Sequence, residues 1–533
     1  MAAQPDVADP PKDKPIPREE EKLPPPRRNK DDKLDPKLEA RLPQPAPTIL
    51  PKDANAIDLR CVLRLAGVEN PDILIARQRV VGAEAMRLAA FARVLPNLNA
   101  GLNYDAHLGN LQQSSGNILN VNRNALYLGL GSGAVAAGTV TIPGIAYTLN
   151  AGEGLFGALA VIQNVRVREF ESQAVRNRVL LRVATGYMNL LRAEGRRAIA
   201  VLNRDEAHEI ARLTAEQAVT GNGKQSDADR AATELARRYD EVVEAEREML
   251  TASARLAQLL NIPPSVQLHA IDGWVIPTPI VPDPIPLSQL LFIAINQRPE
   301  LAARRAAIRE ATYVLRAAQV LPFSPTVIAG YSAGTFGGGS NIVSQPGGFQ
   351  GFLQSRFDSF AARSDVDVIM FWTAQNMGVG NFAQVRVRSS ERRLAELELL
   401  RDLNRVRSEV AIAYAGTHAR YAQIAIAQRG VEAGKKSYKE DYGRIFGALG
   451  LPIELLNSFD LLAAARYQYL DAVVDYDKAQ FALYVALGQP PAGYLAREMP
   501  GDLVPVPEPR PPLPACAPAN GDPSACAACQ SPQ

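Results

Sequence analysis

The chain has few of the residues from which active sites are built. Among its 533 residues are four cysteines, four histidines and two tryptophans. The histidines (His107, His208, His269, His418) are scattered, with no metal-ligand spacing among them. Cys61 falls in a helical apolar pattern and reads as a small buried side chain, while Cys516, Cys526 and Cys529 stand in a proline-rich end. Cys526-Ala-Ala-Cys529, without a second pair or a histidine, does not make a metal site. No nucleophile–base pair or phosphate loop is visible, so the chain does not read as an enzyme and no cofactor is expected. Charge of one sign is lacking as well. The 58 basic and 56 acidic residues leave a net +2, which excludes a general pull toward nucleic acid. The longest uncharged stretch, residues 125–152, is rich in Gly, Thr and Asn and contains Pro143, so no transmembrane helix is expected. Residues 1–30 have no apolar core of the kind a secretory signal needs, which counts against export. Asp58-Leu59-Arg60 before Cys61 is not a lipobox.

Proline is abundant at both ends and absent from long stretches between. Residues 1–52 are proline-rich and charged and read as a disordered leader; residues 500–533 read as a disordered tail. No proline occurs between Pro143 and Pro263 or between Pro346 and Pro452, so each gap has room for helices of about forty residues or more. The best-defined helix follows Gly450-Leu451-Pro452, with Glu454 in its first turn, and runs without proline to Pro490. It carries two adjacent heptad stripes, one through Leu456, Ala463 and Leu470, the other through Leu455, Leu462, Tyr469 and Tyr476. A two-stranded coiled coil needs one seam; two seams require a neighbour on each side, as in a ring or a bundle. Asp460 and Asp477 interrupt the stripes and Arg247 faces the equivalent seam upstream; each is read as solvated.

The same unit occurs twice. Tyr187 and Tyr414, Gly223 and Gly450, Leu235 and Leu462, and Pro263 and Pro490 all stand 227 positions apart. Residues 53–283 therefore form a first repeat and residues 284–499 a second, each reading helix, strand, strand, long helix, turn, long helix. Asn70-Pro71 and Arg298-Pro299 break a short helix from a longer one, and Leu95-Pro96 and Leu321-Pro322 end the latter. Beyond Pro96 the period becomes two: Leu98, Ala100, Leu102, Tyr104, Ala106 and Leu108 alternate with polar residues and glycine. Strands are expected at 97–109 and about 139–149, and at 325–336 and about 365–374, joined by glycine-rich connections.

Four strands cannot close a barrel, and an open sheet edge is not tolerated in lipid. If these strands cross a membrane, several chains must share the barrel. Three chains supply twelve strands and a ring of twelve helices. A soluble coiled-coil scaffold with a small β cap is the alternative; the alternating strand faces favour the channel.

The chain resembles the TolC family of outer-membrane efflux channels over about residues 56–492. The resemblance is carried by Asn70-Pro71 with Leu95-Pro96, Arg298-Pro299-Glu300-Leu301, Gly450-Leu451-Pro452-Ile453-Glu454-Leu455-Leu456 and the closing Ala486-Leu487-Gly488-Gln489-Pro490-Pro491. It implies a mainly α fold with β structure, in which a trimeric twelve-stranded β-barrel in the outer-membrane lipid continues into a twelve-helix α-barrel in the periplasm. It further implies a passive exit duct that docks to a periplasmic adaptor protein and an inner-membrane pump, without nucleic acid and without catalysis. The turns at Gly221-Asn222-Gly223 and Gly450-Leu451-Pro452 correspond to the family's periplasmic tips, where partners bind. Asp227 and Glu454 match acidic residues that line the closed entrance, and Asn457 falls where a second acid is common. The tyrosine that the family places before the second tip glycine is out of register, with Tyr442 lying earlier.

Overall fold

The computed structural model describes residues 42–51, 54–133, 135, 141–272, 275–282, 285–340, 359–446 and 450–491. Most of the expected leader, all of the tail and its three cysteines lie outside these. The described elements begin with β1 (Asn55–Ile57), α1 (Leu59–Glu69) and α2 (Pro71–Ala92). Strands β2 (Asn97–Leu98), β3 (Ala100–Gln112), β4 (Ile118–Ser132), β5 (Ile142–Pro143) and β6 (Ile145–Asn150) follow. Next come α3 (Ala151–Val219), α4 (Gln225–Leu260) and β7 (Leu268–Ala270). The second half holds α5 (Leu287–Gln297), α6 (Pro299–Val320), β8 (Thr326–Ser340), β9 (Ser359–Phe371), α7 (Val379–Phe446) and α8 (Pro452–Ala486). Helix lengths recur between the halves: 11 residues in α1 and in α5, 22 in α2 and in α6, 69 against 68 in α3 and α7, 36 against 35 in α4 and α8. No described helix is long and apolar enough to cross a membrane.

By its contacts the chain divides into two compact units. The first comprises Met1–Ile49, Arg196–Arg247 and Gly430–Tyr467; the second comprises Leu50–Gly195, Glu248–Arg429 and Gln468–Gln533.

In the second unit, the sheet reduces to four long strands. β4 and β6 lie end to end along β8: Arg123–Leu130 pair with Ser340–Ala333, and Ile145–Asn150 with Tyr331–Thr326. Between them Gly131 pairs with Pro143 and Ser132 with Ile142. β2 and β3 flank this broken strand on one side and β9 flanks β8 on the other, all antiparallel. Among the described residues, neither β3 nor β9 has a second strand beside it.

The expected second strand is thus misplaced. It starts at Ile118, inside the stretch read as a connection, and 142–150 is only its far end. Its polar positions are Asn120, Asn122, Asn124 and Arg123, which hide the alternation that β3 displays openly. β9 likewise starts earlier than expected, at Ser359.

Because directly opposed residues share a face, the register sorts the sheet into two sides. Leu102 opposes Leu128, Tyr104 opposes Leu126, Tyr331 opposes Val366 and Ala329 opposes Val368. The other side carries Asp105, His107, Arg123, Arg363, Asp365 and Asp367. The apolar side is the more exposed: Leu102 is 61% exposed, Leu128 59% and Val368 69%, whereas Asp105, His107 and Arg123 are partly buried.

Equivalent joints in the two halves use different side chains for one task. Asn70 precedes Pro71; its Oδ1 caps α2 by accepting from the Asp72 amide (3.0 Å), and its Nδ2 donates to the Leu259 carbonyl (2.8 Å) in the last turn of α4. Arg298, at the matching place, donates through Nε to the Ala486 carbonyl of α8 (2.8 Å) and pairs with Glu409 (2.6 Å). Both long helices then end in a left-handed residue, Asn261 (φ 58°) and Gly488 (φ 92°), with the next amide reaching back to Ala257 and Tyr484.

Three further departures from expectation concern polar and cysteine residues. Cys61 is exposed, because α1 buries Leu59, Val62, Leu63 and Ala66 and turns Cys61 to the opposite face. Asp460 is paired across helices, as described below. Asp477 is buried, with its Oδ1 accepting from the Thr278 amide (2.7 Å), while Gln480 accepts from the amides of Ile280 (3.2 Å) and Val281 (3.1 Å). These α8 side chains satisfy the non-proline amides of a segment rich in proline. Arg247, by contrast, is more than half exposed, as read, and pairs with Glu244 one turn away.

Desolvation pushes the Asp477 carboxyl up to about 7 from its ordinary 3.8, against the lowering effect of the Thr278 amide. Between those values the folded chain keeps a proton that the unfolded chain has lost. Its stability contribution is therefore complete below pH 4, declines as pH rises, and is lost above about pH 7. Asp477→Asn, which keeps the acceptor and removes the charge, is expected to raise the melting temperature at pH 8 and to lose most of that advantage at pH 5. Equal shifts at both values would show that the carboxyl is not strained by burial.

Candidate functional site

The first unit is built from the turn-proximal parts of α3, α4, α7 and α8. Two turns join them in pairs, α3 to α4 through Gly221 and Gly223, and α7 to α8 through Gly450 and Leu451. The segment 447–449, part of the expected second turn, lies outside the described residues. The two turns share one geometry. The Gly223 amide donates to the Gln217 carbonyl (2.9 Å) and the Gly450 amide to the Arg444 carbonyl (3.1 Å), each reaching back six positions to a carbonyl at a helix end. A Cβ on Gly223 would stand 3.1 Å from Gln217 Cβ, and one on Gly450 3.0 Å from Arg444 Cβ and 3.1 Å from Ile445 Cγ1. Close approach thus calls for glycine at both. At Gly221 the reason differs, since φ is +78°.

The turns are fastened to one another. Gln217 Nε2 donates to the Ile445 carbonyl (3.0 Å) in the last turn of α7. Below this bond a shared core contains Ile210 and Ala211 of α3, Leu235 of α4, Ile445 of α7, and Leu455 and Phe459 of α8. Pro452 opens α8, where its missing N–H costs no helical bond. Leu451 and Ile453 remain exposed, as does Val219 at the end of α3.

The sequence-predicted acids are placed in this unit but not joined to one another within the chain. Asp227, in the first turn of α4, accepts from Arg230 (3.2 Å). Glu454, in the first turn of α8, lies 3.6 Å from Arg444 in the last turn of α7. Asn457 is exposed and shares a helix face with Glu454 at i, i+3. Tyr442 packs with Tyr438 against the shared core, and burial raises both phenols above the ordinary range.

Sequence reasoning missed the ionic layer that binds the two helix pairs. Arg238, nearly fully buried, lies over the Phe459 ring (4.7 Å) and donates to Glu234 (2.6 Å), Glu241 (2.9 Å) and Asp460. Asp460 also accepts from Arg237. On the other side Arg466 makes a bidentate pair with Glu206 (2.6 and 2.8 Å) and donates to Asn203 (2.6 Å). The available signal was Asp460 itself, an acid within an apolar stripe, which calls for a partner when its neighbours are buried. Arg444 could have been found as a cation in the last turn of a helix.

No family model matches the chain, and no curated protein is recognisably similar to it. Solved structures are. The outer-membrane channel OprN shares 20% identity with a TM-score of 0.64, over 81% of this chain and 89% of that one. The Campylobacter jejuni CmeC outer membrane channel shares 15% with a TM-score of 0.65, over 85% and 91%. The open state of the Neisseria gonorrhoeae MtrE outer membrane channel shares 18% with a TM-score of 0.58, over 84% and 98%. The fold is that of TolC-like outer-membrane channels.

Paired substitutions test the turn geometry. Gly450→Ala is expected to destabilise by ~1 kcal/mol, because Arg444 and Ile445 must give way. Gly443→Ala, in α7 with nothing within 4 Å of the added carbon, is expected to stabilise by ~0.5–1 kcal/mol. Thermal melts of the two variants should move in opposite directions; a common direction would contradict the close approach at Gly450.

Proposed function

We propose that three copies of the chain assemble into a passive exit duct of the outer membrane. In this reading the two repeats, residues 53–283 and 284–499, give each copy four barrel strands and four helix tracks, twelve of each in the trimer. The observation that carries the reading is the sheet. Its exposed side is apolar while its charged residues gather on the other, the reverse of a sheet that faces water. An apolar exterior and a polar lumen are what a membrane barrel needs. Strands β3 and β9, which among the described residues each pair with one strand, supply the edges through which copies would join. The likeness to outer-membrane channels supports the same conclusion.

The paired turns are the periplasmic entrance in this reading. The exposed Val219, Leu451 and Ile453 offer apolar contact to a periplasmic adaptor, itself bound to an inner-membrane pump. Asp227 and Glu454 of successive copies, with Asn457, form a polar ring that narrows the entrance and favours cations. No reaction and no cofactor are involved.

Two experiments check these proposals. Val368→Arg, on the apolar side, is expected to cost about 2–4 kcal/mol in the bilayer and to deplete the protein from outer-membrane fractions. Full recovery there, or a wild-type chain that stays monomeric and soluble without detergent, would favour a soluble helical scaffold instead. Asp227→Ala combined with Glu454→Ala is expected to raise single-channel conductance and weaken cation selectivity in planar bilayers. Unchanged values would remove these acids from the gate.

A further inference from the structure

The end of the expected leader is held in place. Residues 42–49 belong to the first unit, and Leu42 is buried in the core shared by both helix pairs, with Leu235, Ile445, Leu455 and Phe459. Six and seven residues on, the arm is clasped to α4: Thr48 Oγ1 donates to Glu246 Oε1 (2.8 Å) and the Ile49 amide to Glu246 Oε2 (3.0 Å). The Glu246 side chain is 2% exposed and also accepts from Arg197 of α3 (3.2 Å). Between clasp and core, Pro45 and Ala46 roof a cavity of about 120 Å³ whose floor is Val201 and Arg204 of α3 and Tyr239 and Val242 of α4.

We propose that residues 42–49 form a latch on the paired turns. One end of the arm is tied to the α3–α4 pair at Glu246. The other is buried where that pair meets α7 and α8, so that the helix pairs separate only when the arm lets go. The physical basis is distributed. A buried carboxylate with donors from three residues is costly to expose, and withdrawing Leu42 would open a hole among Leu235, Leu455 and Phe459. The Gln217–Ile445 bond and the Arg238 and Arg466 layers hold the same seam from within. Proline at 43, 45 and 47 stiffens the strap and lowers the entropy lost when it docks.

The inference rests on the channel reading for its consequence in transport, but not for its first test. Amide hydrogen exchange is measured on the full chain in detergent, on a chain lacking residues 1–49, and on the milder Leu42→Ala and Thr48→Val variants. Removing or weakening the arm is expected to speed exchange about tenfold in 445–459 and 207–211 while leaving α5 and α6 unchanged. A synthetic peptide of residues 41–52 added to the shortened chain should restore protection, and the same peptide with Leu42→Asp should not. In planar bilayers the shortened chain should show higher open probability than the full chain. Unchanged exchange in the Leu42→Ala and shortened chains would overturn the latch. Faster exchange with no conductance from any form would leave the latch standing and overturn the duct.

Discussion

Every amide and carbonyl on the rim of a sheet must be bonded to something, and hydrocarbon offers nothing to bond. That constraint weighs on the four strands of this chain more heavily than any other. Among the described residues β3 and β9 each pair with one strand, and the surface between them exposes Leu102, Leu128, Val366 and Val368. In water both features are liabilities, one for edge-to-edge pairing and one for aggregation. Joined to sister copies in a bilayer, both disappear together. The oligomer and the membrane are therefore not separate proposals: the edges call for more strands and the apolar face calls for lipid.

The helical part meets a different demand. Long helices free of proline form readily, but their ends leave carbonyls and amides without partners. Here the ends are finished by side chains from elsewhere in the chain: Asn70 at Leu259, Arg298 at Ala486, Gln217 at Ile445. Charge is used in the same way. Arg238 is buried and Arg466 largely so, yet each carries two or more acceptors, which is the condition under which a buried cation is tolerable.

Much of this was legible in the sequence because its signals are periodic or repeated. The offset between Gly223 and Gly450 located both turns, and the proline-free stretches located the long helices. The alternation of Leu102, Tyr104 and Leu108 located β3. What was illegible depends on contacts distant in sequence. β4 was missed because asparagine and arginine occupy positions where alternation is sought, and only its pairing with β3 shows which face each takes. Asp460 was read as solvated because its partners, Arg237 and Arg238, lie more than two hundred residues upstream. Leu42 was assigned to the leader because three nearby prolines outweigh a single leucine in composition. Cys61 was placed on the wrong side of α1 by a pattern only three turns long.

The joints at Asn70 and Arg298 hold the same carbonyl in the same turn, yet one does so as a neutral amide and the other as a cation tethered to Glu409. The halves of the chain are therefore interchangeable in shape but not in chemistry. A protein made by copying the first half twice would reproduce the geometry and discard the ionic joint, and one made from two second halves would need two copies of the Glu409 tether. Replacing Arg298 with asparagine would take from Glu409 its nearer cation and leave Arg405 at 3.6 Å.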